Sequence, residues 1–115
     1  MTVTVYGIPN CDSVKKARRW LNERRIDYRF HDLRADELEV DLLERLADAA
    51  DWHSLLNKQS KTFRELPDKQ AVVQDRDAAF AAMLQHPTLI KRPVLELDNR
   101  VLVGFNESEW ENALC

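Results

Sequence analysis

Cys11 is the residue with the most evident chemistry in this chain. It stands between Gly7-Ile8-Pro9-Asn10 and a helical pattern that begins at Asp12-Ser13. A thiol there faces backbone N–H groups that lack intrahelical partners, and the positive end of a helix dipole. Both favour the thiolate, which is the nucleophile. Lys15, one turn on, adds a positive charge when its side chain folds back. The alternative is an inert structural thiol, but such cysteines usually sit inside apolar runs, and Cys11 is flanked by Asn10 and Asp12. In Cys11-Asp12-Ser13-Val14, the place of the second thiol of a C-x-x-C pair is held by Val14. No local disulfide can form, so a mixed disulfide on Cys11 must be resolved by an outside thiol, for which glutathione is the abundant cytosolic species. Cys115, the other of the two cysteines, ends the sequence and reads as incidental.

Arg92-Pro93-Val94 is the second informative segment. A proline that opens a strand suggests a fixed turn, and a cis bond at Pro93 would aim the Val94 backbone at an incoming extended chain. The plainer reading is a proline that begins an edge strand. Arg92 can pair bidentately with a carboxylate or an oxyanion. Its plainer reading is an exposed arginine beside Lys91.

The elements that position these residues follow from apolar spacing. Val3-Thr4-Val5-Tyr6 predicts a strand stopped by Gly7 and Pro9. Val14, Ala17, Trp20 and Leu21 then mark one face of a helix, with Lys15, Lys16, Arg18 and Arg19 on the other and Asp12 and Ser13 as capping oxygens. Asp27 to Asp32 predicts a second strand with Tyr28 and Phe30 on one face, completing a parallel β-α-β unit. Leu38, Leu42 and Leu46, widened by Leu43 and Ala50, predict an amphipathic helix within residues 35–56, continued by Trp52 to Leu56. Asn57 to Lys61 reads as a polar loop. A further helix at Arg76 to Gln85 turns Ala79, Phe80, Met83 and Leu84 inward and is ended by Pro87. Val94 to Leu97, an Asp98-Asn99 turn and Val101 to Val103 predict an antiparallel hairpin. A last helix begins at Asn106-Glu107-Ser108-Glu109 and carries Trp110 and Leu114. The layout is an α/β fold, β-α-β then helices then β-β-α, with a helical insertion between the two halves.

Composition limits the remaining function classes. The 115 residues are 44% hydrophobic and 32% charged, enough apolar content for one core without disulfide or metal staples. Lys plus Arg is 17 against 20 Asp plus Glu, a formal charge of −3, which argues against general binding to nucleic acid. Charge is uneven: residues 1–31 hold seven bases against three acids, and residues 32–51 hold eight acids against two bases. Solvated helix faces account for that pattern, and so does a basic first helix that attracts an anionic substrate. No run approaches a transmembrane length, and Met1 to Ser13 lacks the features of a signal peptide, so a cytoplasmic location with no membrane partner is expected. His31, His53 and His86 have no paired spacing, so no metal site is expected. Gly7 and Gly104 are the two glycines, so no Gly-rich phosphate cradle exists.

Four blocks carry a family resemblance: YGIPNCDSVKKARRWL at 6–21, SLLNKQSKTFREL at 54–66, MLQHPTLIKRPVL at 83–95 and RVLVGFNESEWENAL at 100–114. In these blocks the chain resembles the arsenate reductase (ArsC) family, most nearly its YffB-type branch, and it also resembles the Spx transcription regulators. The resemblance implies a single thioredoxin-like domain over residues 1–115 with a helical insertion at about 35–86, a nucleophilic Cys11 and a cis bond before Pro93. It implies a thiol oxidoreductase that uses glutathione as co-substrate on an oxidised thiol, with no tightly bound cofactor. Asn10, Lys15, Arg92, Pro93 and Val94 would then form the glutathione site. Asn10 has a plainer role as well, turning the chain after Pro9. Glutaredoxin is an implied further partner, and the chain is expected to be a monomer.

Two alternatives accompany that reading. Arsenate reductases of this family hold the oxyanion with three arginines. The IKRP match places one at Arg92, whereas Asn57 and Gly104 stand near the places of the other two. Lys58 or Arg64 would have to supply the missing charge. The other alternative is an Spx-like regulator that contacts RNA polymerase, although Val14 removes the C-x-x-C switch of that group. A structural module without activity predicts a slow Cys11.

Overall fold

β-Branched and aromatic residues at Val3–Gly7 form β1, and the chain then turns through Ile8-Pro9-Asn10 into α1, Asp12–Glu23. In this computed structural model, which describes residues 2–115, β2 follows at Arg29–Asp32. Next come α2 at Val40–Ala50, α3 at Trp52–Leu55, α4 at Lys61–Arg64, α5 at Lys69–Val72 and α6 at Arg76–Gln85. A 3-10 turn at Pro87–Leu89 leads to β3, Val94–Leu97, and β4, Arg100–Val103, and α7 closes the chain at Glu107–Leu114. The chain divides into two compact units, one formed by the segment up to Asp36 with Arg92–Cys115, the other by Glu37–Lys91.

The first unit is a four-stranded sheet in the order β2-β1-β3-β4. β1 is parallel to β2, with Tyr6 opposite His31, and antiparallel to β3, with Tyr6 opposite Val94. β3 and β4 form the expected hairpin, and Asp98 takes φ 49 in the two-residue turn. Strand alternation sends Val3, Val5, Leu95 and Leu97 to one face, where Ala17, Trp20 and Leu21 of α1 and Trp110 of α7 cover them. Trp110 is fully buried, donates its indole N–H to the Gly104 carbonyl at 3.1 Å, and meets Trp20 and Phe105 edge to face. Tyr28 and Phe30 pack together on this core as their spacing predicts.

The second unit is helical. Leu43, Leu46 and Ala47 are the buried residues of α2, and Ala79, Phe80 and Met83 those of α6. Arg76 bridges the two helices, 3.9 Å from Glu44 and 3.6 Å from Asp48. The segment after α3 runs beside the approach to β3: Asn57 N–H donates to the Leu89 carbonyl at 2.7 Å and Lys91 N–H to the Leu55 carbonyl at 2.8 Å.

Several expectations require correction. Asp12 and Ser13 do not cap α1; both lie in its first turn, and Cys11 occupies the cap because the chain is extended there, at φ −120 and ψ 129. The helical segment after residue 35 is not continuous. Asp51 at φ 75 separates α2 from α3, and its carboxylate takes up the His53 N–H, so helix direction changes at that residue. Hydrogen bonds from His53 hold the Asp51 carboxyl below its ordinary value. Leu38 precedes α2, and Leu42 is only half-buried, because the buried stripe runs through Leu43 and Leu46 instead. The polar segment after Asn57 leads directly into α4, which Ser60 caps by accepting from Phe63 N–H at 3.1 Å. The short helix α5 had no clear apolar period to announce it, and none of its residues is buried.

Gly7 sets where α1 begins. A Cβ built there would lie 2.7 Å from Cγ2 of Val14, which is fully buried. Gly7→Ala is expected to destabilise the chain by about 1–3 kcal/mol through overpacking. Gly7→Ala combined with Val14→Ala should not show the sum of the two single losses. Denaturant midpoints of the two single variants and the double variant measure this; simple additivity would contradict the close packing as the cause.

Candidate functional site

The sheet register gathers three loops at one end of the first unit. β1 leaves it at Gly7 and reaches Cys11 through Ile8-Pro9-Asn10; β3 enters it through Arg92-Pro93; β4 leaves it at Val103 into Gly104. The Arg92–Pro93 bond is cis. Gly104 N–H donates to the Pro93 carbonyl at 2.8 Å, and the Gly104 carbonyl accepts from Trp110, so this one residue ties the proline turn to the core. Gly104 was legible in the sequence only as the place of a missing arginine. Its φ of +83 gives the reason for glycine, since any other side chain is strained there even though the space around a Cβ is open.

Cys11 is a half-buried free thiol at the N-cap of the twelve-residue α1. Its carbonyl accepts from Lys15 N–H at 2.9 Å, while its side chain accepts nothing from the helix. The helices α3 to α7 contrast with it: Asp51, Ser60, Asp68, Asp75 and Asn106 each place a side-chain oxygen on a first-turn amide. At α1 the cap residue is a cysteine and its side chain makes no such bond, which leaves the first-turn amides open beside the thiol. Asp12 is the acidic residue of the same first turn.

The other residues singled out from sequence are distributed as follows. Asn10 is exposed on the loop before Cys11, and Lys15 is exposed one turn above it. Pro93 is buried and Arg92 is half-buried, with its Nε sequestered from solvent. Val94 is fully buried in an interior strand, with Tyr6 on one side and Val103 on the other. Pro93 therefore does not open an edge strand, and the Val94 backbone faces sheet neighbours. An extended chain approaching this end of the sheet meets the Arg92-Pro93 turn ahead of β3. Asn57 belongs to the other unit, where its carboxamide oxygen accepts from Gln59 N–H at 3.0 Å and its carbonyl from the Ser60 hydroxyl at 2.9 Å. That turn, set just before the cap of α4, accounts for an Asn at 57. Behind the sheet end, the Tyr6 hydroxyl donates to Glu96 at 2.6 Å, and the Tyr6 ring packs against His31. Sequence reading missed this pair, although the alternation of β1 and β3 puts Tyr6 and Glu96 on one face.

Cys115 is exposed and follows α7, whose eight residues carry it about 12 Å of helix rise from where α7 starts. Among the described residues there is no group of three metal-ligating side chains and no helix long and apolar enough to cross a membrane.

The cap geometry makes a prediction that exposure alone would reverse. At neutral pH iodoacetamide should modify the half-buried Cys11 faster than the exposed Cys115, by about tenfold or more. Asp12→Asn should increase the Cys11 rate further. Peptide-level mass spectrometry of a labelling time course reads both sites in one sample; faster labelling of Cys115 would remove the helix terminus as an activating influence.

With the geometry in place, comparison with known proteins is informative. The model described as the ArsC family matches residues 6–113. A protein of Haemophilus influenzae, described as uncharacterized, is 41% identical over 113 residues, covering 98% of this chain and 99% of its own length. The global transcriptional regulator Spx of Listeria innocua is 32% identical over 112 residues, covering 93% of this chain and 82% of its own length. Among solved structures, a YffB protein superposes with a TM-score of 0.92 at 42% identity, covering 99% of this chain and 100% of its own. The expected thioredoxin-like α/β fold, with helices between its two halves, is the fold observed.

Proposed function

We propose that this chain, which belongs to the ArsC family, is a glutathione-dependent thiol–disulfide reductase that works through Cys11 alone. The observation that carries the reading is the thiol at the N-cap of α1, with first-turn amides that no side-chain oxygen occupies. The Cys11 thiolate attacks one sulfur of an oxidised substrate, the substrate S–S bond breaks, and one substrate thiolate leaves. A glutathione thiolate then attacks the Cys11 sulfur, releasing the second substrate thiol and leaving glutathione on Cys11. A second glutathione attacks the sulfur of the bound one, giving oxidised glutathione and returning Cys11 as thiolate. One disulfide is reduced and two glutathiones are oxidised, so thiols and electrons balance. The α1 N-terminus lowers the cost of Cys11 both as nucleophile and as leaving group.

Asn10 shapes the loop that presents Cys11. Lys15 and Arg92 supply positive charge for the two glutathione carboxylates, and the Arg92-Pro93 turn, with Val94 anchoring it in the sheet, forms the wall against which the tripeptide lies. Glutathione serves as co-substrate rather than resident cofactor, glutaredoxin is the further recycling partner, and a reducing cytoplasmic setting suits this chemistry. Arsenate is a poorer substrate in this reading. With Asn57 and Gly104 in place of two arginines, a dianion would lose most of its charge-assisted hydrogen bonds.

Incubation with a glutathione mixed disulfide, glutathione and a glutathione-recycling system should give steady NADPH oxidation. Cys11→Ser should abolish it, Cys115→Ser should retain it, and arsenate should give no more than background turnover. A Cys11→Ser chain as active as the natural one would end the proposal.

The 32% identity to a transcriptional regulator supports one second reading, a protein-interaction regulator with RNA polymerase as the partner to test. That role needs no reactive thiol. Pull-down of polymerase by both the natural chain and Cys11→Ser, with no disulfide turnover by either, would favour it.

A further inference from the structure

The outward face of α1 carries cations for which the described residues supply no ion-pair partner. Lys15, Arg18, Arg19, Asn22 and Glu23 line an open groove of about 500 Å³. Among the described residues, none of Lys15, Arg18 and Arg19 takes part in an ion pair, whereas Arg76 on α6 engages both Glu44 and Asp48. Arg18 is held in place: its guanidinium lies 4.1 Å from the centre of the Phe30 ring, and its Nε donates to the Tyr28 hydroxyl at 3.0 Å. These contacts fix the Arg18 side chain against the sheet without neutralising its charge, which lowers the entropic cost of engaging an anion.

The position of this face matters as much as its charge. Cys11, Lys15, Arg18 and Asn22 follow one another at intervals of four, three and four residues, the spacing of a single helix face. A polypeptide whose sulfur reaches Cys11 therefore has the cationic stripe directly in line with it. Arg18 lies about 10 Å of helix rise beyond Cys11 and Asn22 about 16 Å. Glutathione, a tripeptide of about 10 Å end to end with its sulfur near the middle, matches the turn that holds Lys15 and stops short of the rest.

We propose that the Lys15–Arg18–Arg19 groove docks an acidic polypeptide segment carrying the oxidised thiol, so that the preferred substrates of Cys11 are protein disulfides or glutathionylated cysteines set among Asp and Glu. The inference rests on the reductase reading and assigns its substrate class. Charge complementarity selects this partner: the groove offers three cations against the single carboxylate of Glu23.

The test uses two dodecapeptides, each with one glutathionylated cysteine, one rich in Asp and Glu and the other with Asn and Gln at the same positions. At low ionic strength the natural chain should release glutathione from the acidic peptide about tenfold faster than from the neutral one, and 0.5 M salt should remove most of that preference. Arg18→Gln with Arg19→Gln should lower the ratio to about twofold or less, and Arg19→Gln alone, at an exposed position, should lower it by about threefold with the fold intact by circular dichroism. Fluorescence anisotropy with the Cys11→Ser chain reads docking apart from chemistry and should show the same order of peptides. Equal turnover and equal binding of the two peptides would overturn this inference alone. Binding of the acidic peptide by a natural chain that leaves it glutathionylated would overturn the substrate assignment together with the reductase reading. Binding of an oligonucleotide to Cys11→Ser in preference to the acidic peptide would overturn the choice of partner.

Discussion

The approach of α1 to β1 at Gly7 is the constraint on which the site depends. Val14 packs so close to the Gly7 Cα that no Cβ fits between them, and both are buried. This contact settles the helix onto the sheet within one turn of its start and leaves three loop residues to bring the chain from strand to cap. Cys11 is thereby held at the helix terminus with extended backbone angles, beside first-turn amides that no side chain caps. The core behind it, Trp20 and Leu21 against Trp110, Val5 and Leu95, makes the arrangement rigid.

Electrostatics at the terminus is a balance of opposing local terms. Open first-turn amides and the basic residues of α1 bring positive charge to this end of the helix, and Asp12 brings negative charge. In the proposed reductase cycle the thiol acts as both nucleophile and leaving group, and a thiolate that is too stable is also a weak nucleophile. In the proposed reading the same helix serves two ranges of distance: its backbone lies beside the thiol, and its side chains line the path by which a substrate would arrive.

Asn57 and Gly104, which the family resemblance sets near arginine positions, have local explanations that differ in kind. At Gly104 the backbone itself, at φ +83, favours glycine, and its N–H and carbonyl link Pro93 to Trp110. At Asn57 the side chain closes a turn ahead of α4. One position is held by backbone geometry and the other by a hydrogen bond. Each residue therefore has a structural reason of its own.

Much of this molecule could be read from the sequence because the controlling effects are local. β-Branched runs gave the strands, the Val14-Ala17-Trp20-Leu21 spacing gave the buried face of α1, and Asp98-Asn99 gave the hairpin turn. Cys11 was legible as a thiol at a strand-to-helix junction, and the lack of a partner at Val14 could be seen directly. Residues 35–56 were harder, since a period in leucine does not show that Asp51 will adopt φ 75 and divide the helix, or that Leu43 rather than Leu42 will be buried. The cap of α1 was displaced by one residue because Asp12 and Ser13 are better capping types than cysteine, and only packing at Gly7 decides which residue holds that position. Tertiary structure alone placed Val94 inside the sheet, tied Gly104 to Pro93 and Trp110, and set Arg18 on Phe30 without a counter-charge. Sequence spacing determines what each segment is because it encodes contacts within a few residues. Which side chains share a site depends on strand order and register, which join residues as far apart as Tyr6 and Glu96.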